Sequence, residues 1–198
     1  MAIVYTLGRG LYVNMTNRCT CNCTFCLRSK IDHVGSAETL WLEHEPVKEK
    51  ILTDILEYDL TEFEEIVFCG YGEPTCRLDD MLWVCKRLKK YTNLPLRINT
   101  NRHASILAGR DVAPLFKGLF DTVSISLNAP DAAGYVKLCR PQAGEDVYYG
   151  MLDFAREVKK YVPHVVLSAV DVLPESEIET CRKIADQMGT EFRIRHYQ

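Results

Sequence analysis

The sequence predicts an α/β protein in the form of a partial (β/α)6 barrel, an open relative of the eight-stranded barrel. Three observations carry that expectation. Strand-like segments alternate with segments of helical periodicity along the 198 residues, which implies a parallel sheet with helical crossovers. The strand segments number six, too few for a closed eight-stranded barrel. Three of them alternate apolar with polar residues, whereas parallel strands covered on both faces run continuously apolar. A doubly wound sheet shares the order of elements but not this polar face.

Taken in order, residues 10–16, GLYVNMT, read as the first strand and deliver the chain into a cysteine-rich loop. Residues 46–58 place Val47, Ile51, Ile55 and Leu56 at helical spacing. EEIVFCG is a short strand ending at Gly70, and 78–91 form a second helix with acids early and bases late, as the helix dipole prefers. LRINTN (96–101) is a strand, DVAPLFKG a short helix, and DTVSISLN (121–128) a strand. The stretch rich in Pro, Gly and Ala that follows reads as a loop to about residue 144. The helix DVYYGMLDFAREVKKY then precedes the strand at 165–172. The last helix opens at Pro174 with an acidic first turn, runs to about Met188 and is stopped by Gly189; EFRIRHYQ is the final strand.

Side chains two apart on a strand share a face. Val123, Ile125 and Leu127 therefore oppose Ser124, Ser126 and Asn128, and Leu96 and Ile98 oppose Arg97, Asn99 and Asn101. On the last strand Phe192 and Ile194 oppose Arg193, Arg195 and Tyr197. One face is apolar, for the helices, and the other is a polar lumen that holds ligand. No repeat, low-complexity tract or long linker interrupts the chain, so a single domain over 1–198 is expected.

A net charge of -3 gives no basic footprint for nucleic acid or an anionic membrane surface. Nine cysteines, an odd number without paired spacings, argue against a disulfide framework. MAIVYTLGRG lacks the regions of a signal peptide, and no apolar run is long enough to span a bilayer. A reducing cytoplasm is the expected location.

The most specific local pattern is Cys19-Thr-Cys-Asn-Cys23-Thr-Phe-Cys26. Read through Cys19, Cys23 and Cys26, it offers three thiolates, one short of a closed zinc site or an all-cysteine cluster. Three would fill three irons of a [4Fe–4S] cubane and leave the fourth open to a ligand. A zinc knuckle, with Cys21 or a distant thiol as fourth ligand, is the alternative. The second strand ends in Gly70-Tyr71-Gly72-Glu73-Pro74, where glycines allow close backbone approach and Glu73 stands at the carboxyl end, the side on which such barrels carry their sites. The bland reading is an ordinary strand–helix turn.

The cysteine spacing resembles the signature of the radical S-adenosylmethionine (SAM) enzymes, and GYGEP resembles their GGEP motif with Tyr71 in place of a glycine. The whole chain, through LYVNMTNRC, FCGYGEPT, RINTN, SISLNAPD, LCRP and VDVLPESEIE, resembles the small TatD-associated radical SAM proteins. That resemblance implies a partial barrel, a [4Fe–4S] cluster on Cys19, Cys23 and Cys26, and SAM chelated to the fourth iron. It also implies reductive cleavage of SAM to a 5′-deoxyadenosyl radical that abstracts hydrogen from a substrate. Gly70 to Pro74 would meet the methionine amino group. Asn99, Thr100, Asn101, Ser124, Ser126, Asn128 and Ser168 would meet the ribose and carboxylate. Phe25 would shield the cluster and offer backbone contacts to adenine. The implied partners are a one-electron donor, flavodoxin or ferredoxin, and a TatD-family hydrolase.

The substrate is undefined. Arg97, Arg193 and Arg195, predicted in the lumen, and Arg140 in LCRP would suit an anion, unless they pair with acids such as Asp171 or lie outside the site. Cys139 is the candidate catalytic thiol, a hydrogen-atom donor. Cys85 and Cys181 read as buried helix residues; Cys69 and Cys76 flank the GYGEP turn, and His103 and His196 stand near strand ends. Two alternatives remain. One is an activase of a glycyl-radical enzyme, although Arg102 stands where the Thr-Asn-Gly of such activases has glycine. The other is a metal-stabilised binding or electron-transfer module without SAM chemistry.

Overall fold

The structure, a computed structural model, describes residues 2–31, 33–101, 103 and 109–196. Its centre is a seven-stranded sheet in the order β1-β2-β3-β4-β5-β6-β7. The strands are β1 (Val4–Leu7), β2 (Gly10–Val13), β3 (Glu65–Phe68), β4 (Leu96–Thr100), β5 (Thr122–Ser126), β6 (His164–Val170) and β7 (Glu191–Arg195). From β2 to β7 every neighbouring pair is parallel, and each strand lies beside the next in sequence. The sheet does not close: β1 and β7 are its two ends.

The six parallel strands are those the sequence predicts; each ends one to three residues earlier than expected, and the strand expected at 165–172 begins one residue sooner, at His164. β1 was not expected. It pairs antiparallel with β2 through a two-residue turn in which Gly8 takes a φ of +58°, open to glycine without strain. With only four residues, it carries too little periodicity to be told from a loop.

Five α-helices are described: α1 (Lys48–Leu56), α2 (Leu78–Leu88), α3 (Ala132–Cys139), α4 (Asp146–Val158) and α5 (Glu175–Met188). α3 corrects the expectation of a loop to residue 144. Asp131 caps it by accepting from the Gly134 N–H at 2.7 Å, and Arg140 ends it in the left-handed region at φ +46°. In the opposite direction, DVAPLFKG forms only a 3-10 turn, Ala113–Phe116. Gly189 ends α5 at φ +59°, the cap expected of it.

The alternation within strands is realised in the packing. Val123, Ile125, Leu127, Leu96 and Ile98 are fully buried under the helices, together with Met81, Val84 and Cys85 of α2 and Cys181 of α5. Phe192 and Ile194 pack at the margin of the same core. Their strand neighbours Ser124, Ser126, Asn128, Arg97, Asn99, Asn101, Arg193 and Arg195 face a cavity on the other side of the sheet. Tyr197 lies outside the described residues. No described helix is long and apolar enough to cross a membrane.

Candidate functional site

The cavity has a volume of about 510 Å³, and its lining includes Gly70 to Glu73, Asn101 and Asn128 past the carboxyl ends of β3, β4 and β5, the side on which such barrels carry their sites. One wall is the cysteine loop, whose entrance is fastened by the polar run that ends β2. Asn14 Nδ2 donates to the Ala2 and Leu40 carbonyls at 3.1 and 2.7 Å. Asn17 exchanges two bonds with the backbone of Leu42, at 2.7 and 3.1 Å. Glu45 receives the Thr16 hydroxyl and both arms of Arg18.

The loop then lies on the end of α3. The Asn22 N–H donates to the Cys139 carbonyl at 3.1 Å, Thr24 N–H to Leu138 at 2.9 Å, and Gln142 N–H to Thr20 at 3.0 Å. Behind it, the buried His103 ring touches Thr20 Oγ1 at 2.7 Å through Nδ1 and the Tyr135 hydroxyl at 3.2 Å through Nε2. Asn101 Nδ2 reaches Thr20 Oγ1 at 3.1 Å and the thiols of Cys21 and Cys19 at 3.5 and 3.7 Å. Tyr135, Thr20 and Asn14 were not foreseen. Only the polar run Asn14–Asn17 left a signal, as a strand end too polar for core.

Cys19, Cys23 and Cys26 are half-buried and all face the cavity, as do Phe25 and the buried Cys21. A hydrogen bond from Cys139, then one from Cys21, then the charge of Arg195 hold the Cys23 thiol well below the ordinary cysteine value. The bond from Cys21 likewise lowers Cys19, while burial pushes Cys26 up. Cys139 is raised by its bond to Cys23 and by burial, and it accepts from Asn128 Nδ2 at 3.6 Å.

The facing wall is the GYGEP turn, which is stitched to the loop. The Glu73 N–H donates to the Arg18 carbonyl at 2.8 Å. A Cβ on Gly72 would stand 2.1 Å from the Thr16 oxygen, and one on Gly70 would stand 2.0 Å from Asn14 Oδ1. Both glycines are thus required by the chain itself. Tyr71 takes no positive φ, and its ring packs edge-on against Trp41 at 5.3 Å, so it replaces glycine without backbone strain. Burial pushes the Glu73 carboxyl up, against bonds accepted from Thr75 N–H, Thr75 Oγ1, Thr100 Oγ1 and Asn101 N–H at 3.1, 2.6, 2.7 and 2.7 Å.

Every candidate site residue from the sequence lines this one cavity except Pro74, which is buried and opens the 3-10 turn Pro74–Arg77. Cys69 and His196 also line it; Cys76, His103 and Arg140 do not, and Arg102 lies outside the described residues. Arg97 forms a two-armed ion pair with Glu65, at 2.9 and 2.6 Å. Arg193 bonds Ser124 Oγ at 3.2 Å and Arg195 bonds Asn128 Oδ1 at 2.6 Å. The expected acid, Asp171, instead meets His196 at 2.9 Å.

Compared with known families, residues 13–188 match the Radical SAM superfamily. The chain belongs to the radical SAM superfamily. No curated protein sequence matches it. Solved structures share its fold at low identity. SuiB of Streptococcus suis, bound to S-adenosylmethionine, superposes with a TM-score of 0.65 at 18% identity, over 94% of this chain and 38% of its own. Methylornithine synthase (PylB) gives 0.58 at 12% identity, over 96% and 53%. A radical SAM methyltransferase from Sphaerobacter thermophilus gives 0.51 at 14% identity, over 98% and 68%. The chain thus spans about two fifths of the SuiB chain and about half of the synthase.

As a radical SAM domain, an enzyme core, the chain should carry donors for a cluster and for SAM, and its residues fit both. Among the described residues no three His, Cys, Asp or Glu side chains close on a single ion. A cubane takes its thiolates at separate corners, which three half-buried thiols around one cavity can supply. Glu73 is buried with oxygens held by neutral donors alone, a fit for an ammonium group.

Proposed function

We propose that the protein is a radical SAM enzyme, with a [4Fe–4S] cluster held by Cys19, Cys23 and Cys26 and SAM held between the cluster and Glu73. The observation that carries this is the convergence of the cysteine loop, the GYGEP turn and the polar strand ends on one cavity. When bound, the cluster and SAM would supply, on one-electron reduction by the donor and with release of methionine, a 5′-deoxyadenosyl radical able to take a hydrogen atom from the substrate. The chain's own work is to bind, orient and exclude water. Cys21 and Cys139 favour the thiolates of Cys19 and Cys23 by hydrogen bonding to them. Glu73 accepts the methionine ammonium, and Thr75, Thr100 and Asn101 fix its carboxylate in place. Asn99, Ser124, Ser126, Asn128 and Ser168 line the lumen as polar partners for ribose and carboxylate, and Phe25 screens the cluster from solvent. We assign Cys139 to seating Cys23; hydrogen-atom donation by its thiol is the competing role.

The resemblance in the longer runs supports a TatD-associated member of the family, with a TatD-type hydrolase as partner and a flavodoxin or ferredoxin as electron donor. The test is anaerobic. Protein reconstituted with iron and sulfide is given dithionite and SAM, and 5′-deoxyadenosine and methionine are assayed beside a Cys19/Cys23/Cys26→Ala control. The expected result is product that disappears in the control. Bound zinc with no SAM affinity would sink the reading and leave a metal-stapled binding module. Cys139→Ala separates its two roles: loss of iron marks seating, and intact iron with lost substrate turnover marks donation.

A further inference from the structure

The lumen carries more positive charge than its own residues balance. Arg28, Arg97, Arg193 and Arg195 line it, and Glu73 is its one acidic side chain among the described residues. Both Glu73 oxygens are taken by Thr75, Thr100 and Asn101. Arg97 is neutralised by Glu65. Arg193 and Arg195 have no carboxylate partner among the described residues. Arg193 donates to one hydroxyl and Arg195 to one amide oxygen, and Arg195 Nε is buried with no partner. A guanidinium has five N–H donors in a rigid fork. Arg193, which is exposed, and Arg195, which is half-buried, thus each make one side-chain hydrogen bond to a described residue with a fork that could make more. Burial lowers both groups from the ordinary arginine value, Arg193 being further lowered by the charge of Arg97. Arg195 also faces the Cys23 thiol, a counter-charge at the cluster end. Arg193 has none.

We propose that Arg193 and Arg195 form the seat for one anionic group, a carboxylate or a phosphate, of the substrate. Two residues apart on β7, they share a face about 7 Å apart, a spacing that two forks can close on one planar or tetrahedral anion. The inference rests on the reading that the Glu73 side of the cavity takes SAM. SAM brings a carboxylate of its own, but on the same carbon as the ammonium that Glu73 would hold. Glu73 is tied to Thr100 and Asn101 at the end of β4, whereas β7 lies three strands further along the sheet. Arg193 reaches Ser124, which pairs in register with Asn99, one pleat deeper than Asn101. Arg195 reaches Asn128 past the end of β5 and faces Cys23, so the seat runs from the cluster end down to Ser124, beside the residues proposed for SAM but three strands from the β4 end that holds Glu73.

The experiment is calorimetric titration of the reconstituted holoprotein, first with SAM and then, SAM-saturated, with inorganic phosphate and with succinate. One-to-one binding of either anion is expected, weakened at least about tenfold in Arg193→Gln, with SAM affinity held within about twofold. Arg195→Lys, which keeps the charge and the fold but loses the fork, should weaken the anion by a smaller factor. An anion that competes with SAM, with both affinities falling together in Arg193→Gln, would assign the seat to the SAM carboxylate and overturn the proposal. So would the absence of anion binding to the SAM-saturated protein. Failure of wild type to bind SAM at all shows in the first titration, and it removes the functional reading and this one with it.

Discussion

Gly72 is where the two signature loops touch, and it has no room for a side chain. A Cβ there would stand 2.1 Å from the Thr16 oxygen and 2.7 Å from the Arg18 oxygen, both backbone atoms that cannot swing aside. Gly72→Ala should therefore cost more than about 2 kcal/mol in urea unfolding of the apoprotein. It should also lower iron retention after reconstitution, because the displaced segment leads into Cys19. A fully stable variant with normal iron would show that the loops are not coupled through this contact. Glu45 fastens the same segment from outside. Burial pushes its carboxyl up, but hydrogen bonds from Arg18 and Thr16 outweigh that and hold it below the usual range. The fold thus favours the ionised form. Its contribution is fully present above about pH 4.3, the unfolded value, and is lost as pH falls through the depressed folded value. Glu45→Gln should be less stable than wild type by under about 1 kcal/mol at neutral pH, since the pair is partly exposed. The difference should vanish in acid; a gap independent of pH would deny the ion pair its part.

α3 is the element that the sequence concealed and the site needs most. Its residues, Ala132 to Cys139, include a glycine and follow Asn-Ala-Pro-Asp, so composition pointed to a loop. The deciding features were a capping aspartate and tertiary support, and only the first is written locally. Packing of Tyr135 into the core and pairing of the cysteine loop with Leu138 and Cys139 depend on distant chain. Arg140 ends the helix at φ +46°, a conformation that favours glycine, and its side chain is exposed. Arg140→Gly should raise thermal stability by up to about 1 kcal/mol, relief of left-handed strain outweighing the added chain entropy. A destabilised variant would mean that the arginine side chain holds the turn. The strands were far more legible. Period-two alternation in 96–101, 121–128 and 192–195 named both the buried face and the lumen face, because each strand's environment is set residue by residue.

At the scale of the molecule, the cavity was legible and its charge balance was not. Sequence spacing placed Arg97, Arg193 and Arg195 on one face, but could not say that Arg97 alone would find an acid, Glu65, on the neighbouring strand. Pairing across a sheet depends on register and reach, which periodicity leaves open. The open sheet has a further consequence. Among the described residues β7 is the last strand, and the edge of a sheet is where another strand can add. Inward-pointing charges are one protection, since a partner strand docking there would have to bury them. Arg193 and Arg195 stand on β7 as charges of that kind, so a chain adding to this edge would have to bury them beside Phe192 and Ile194.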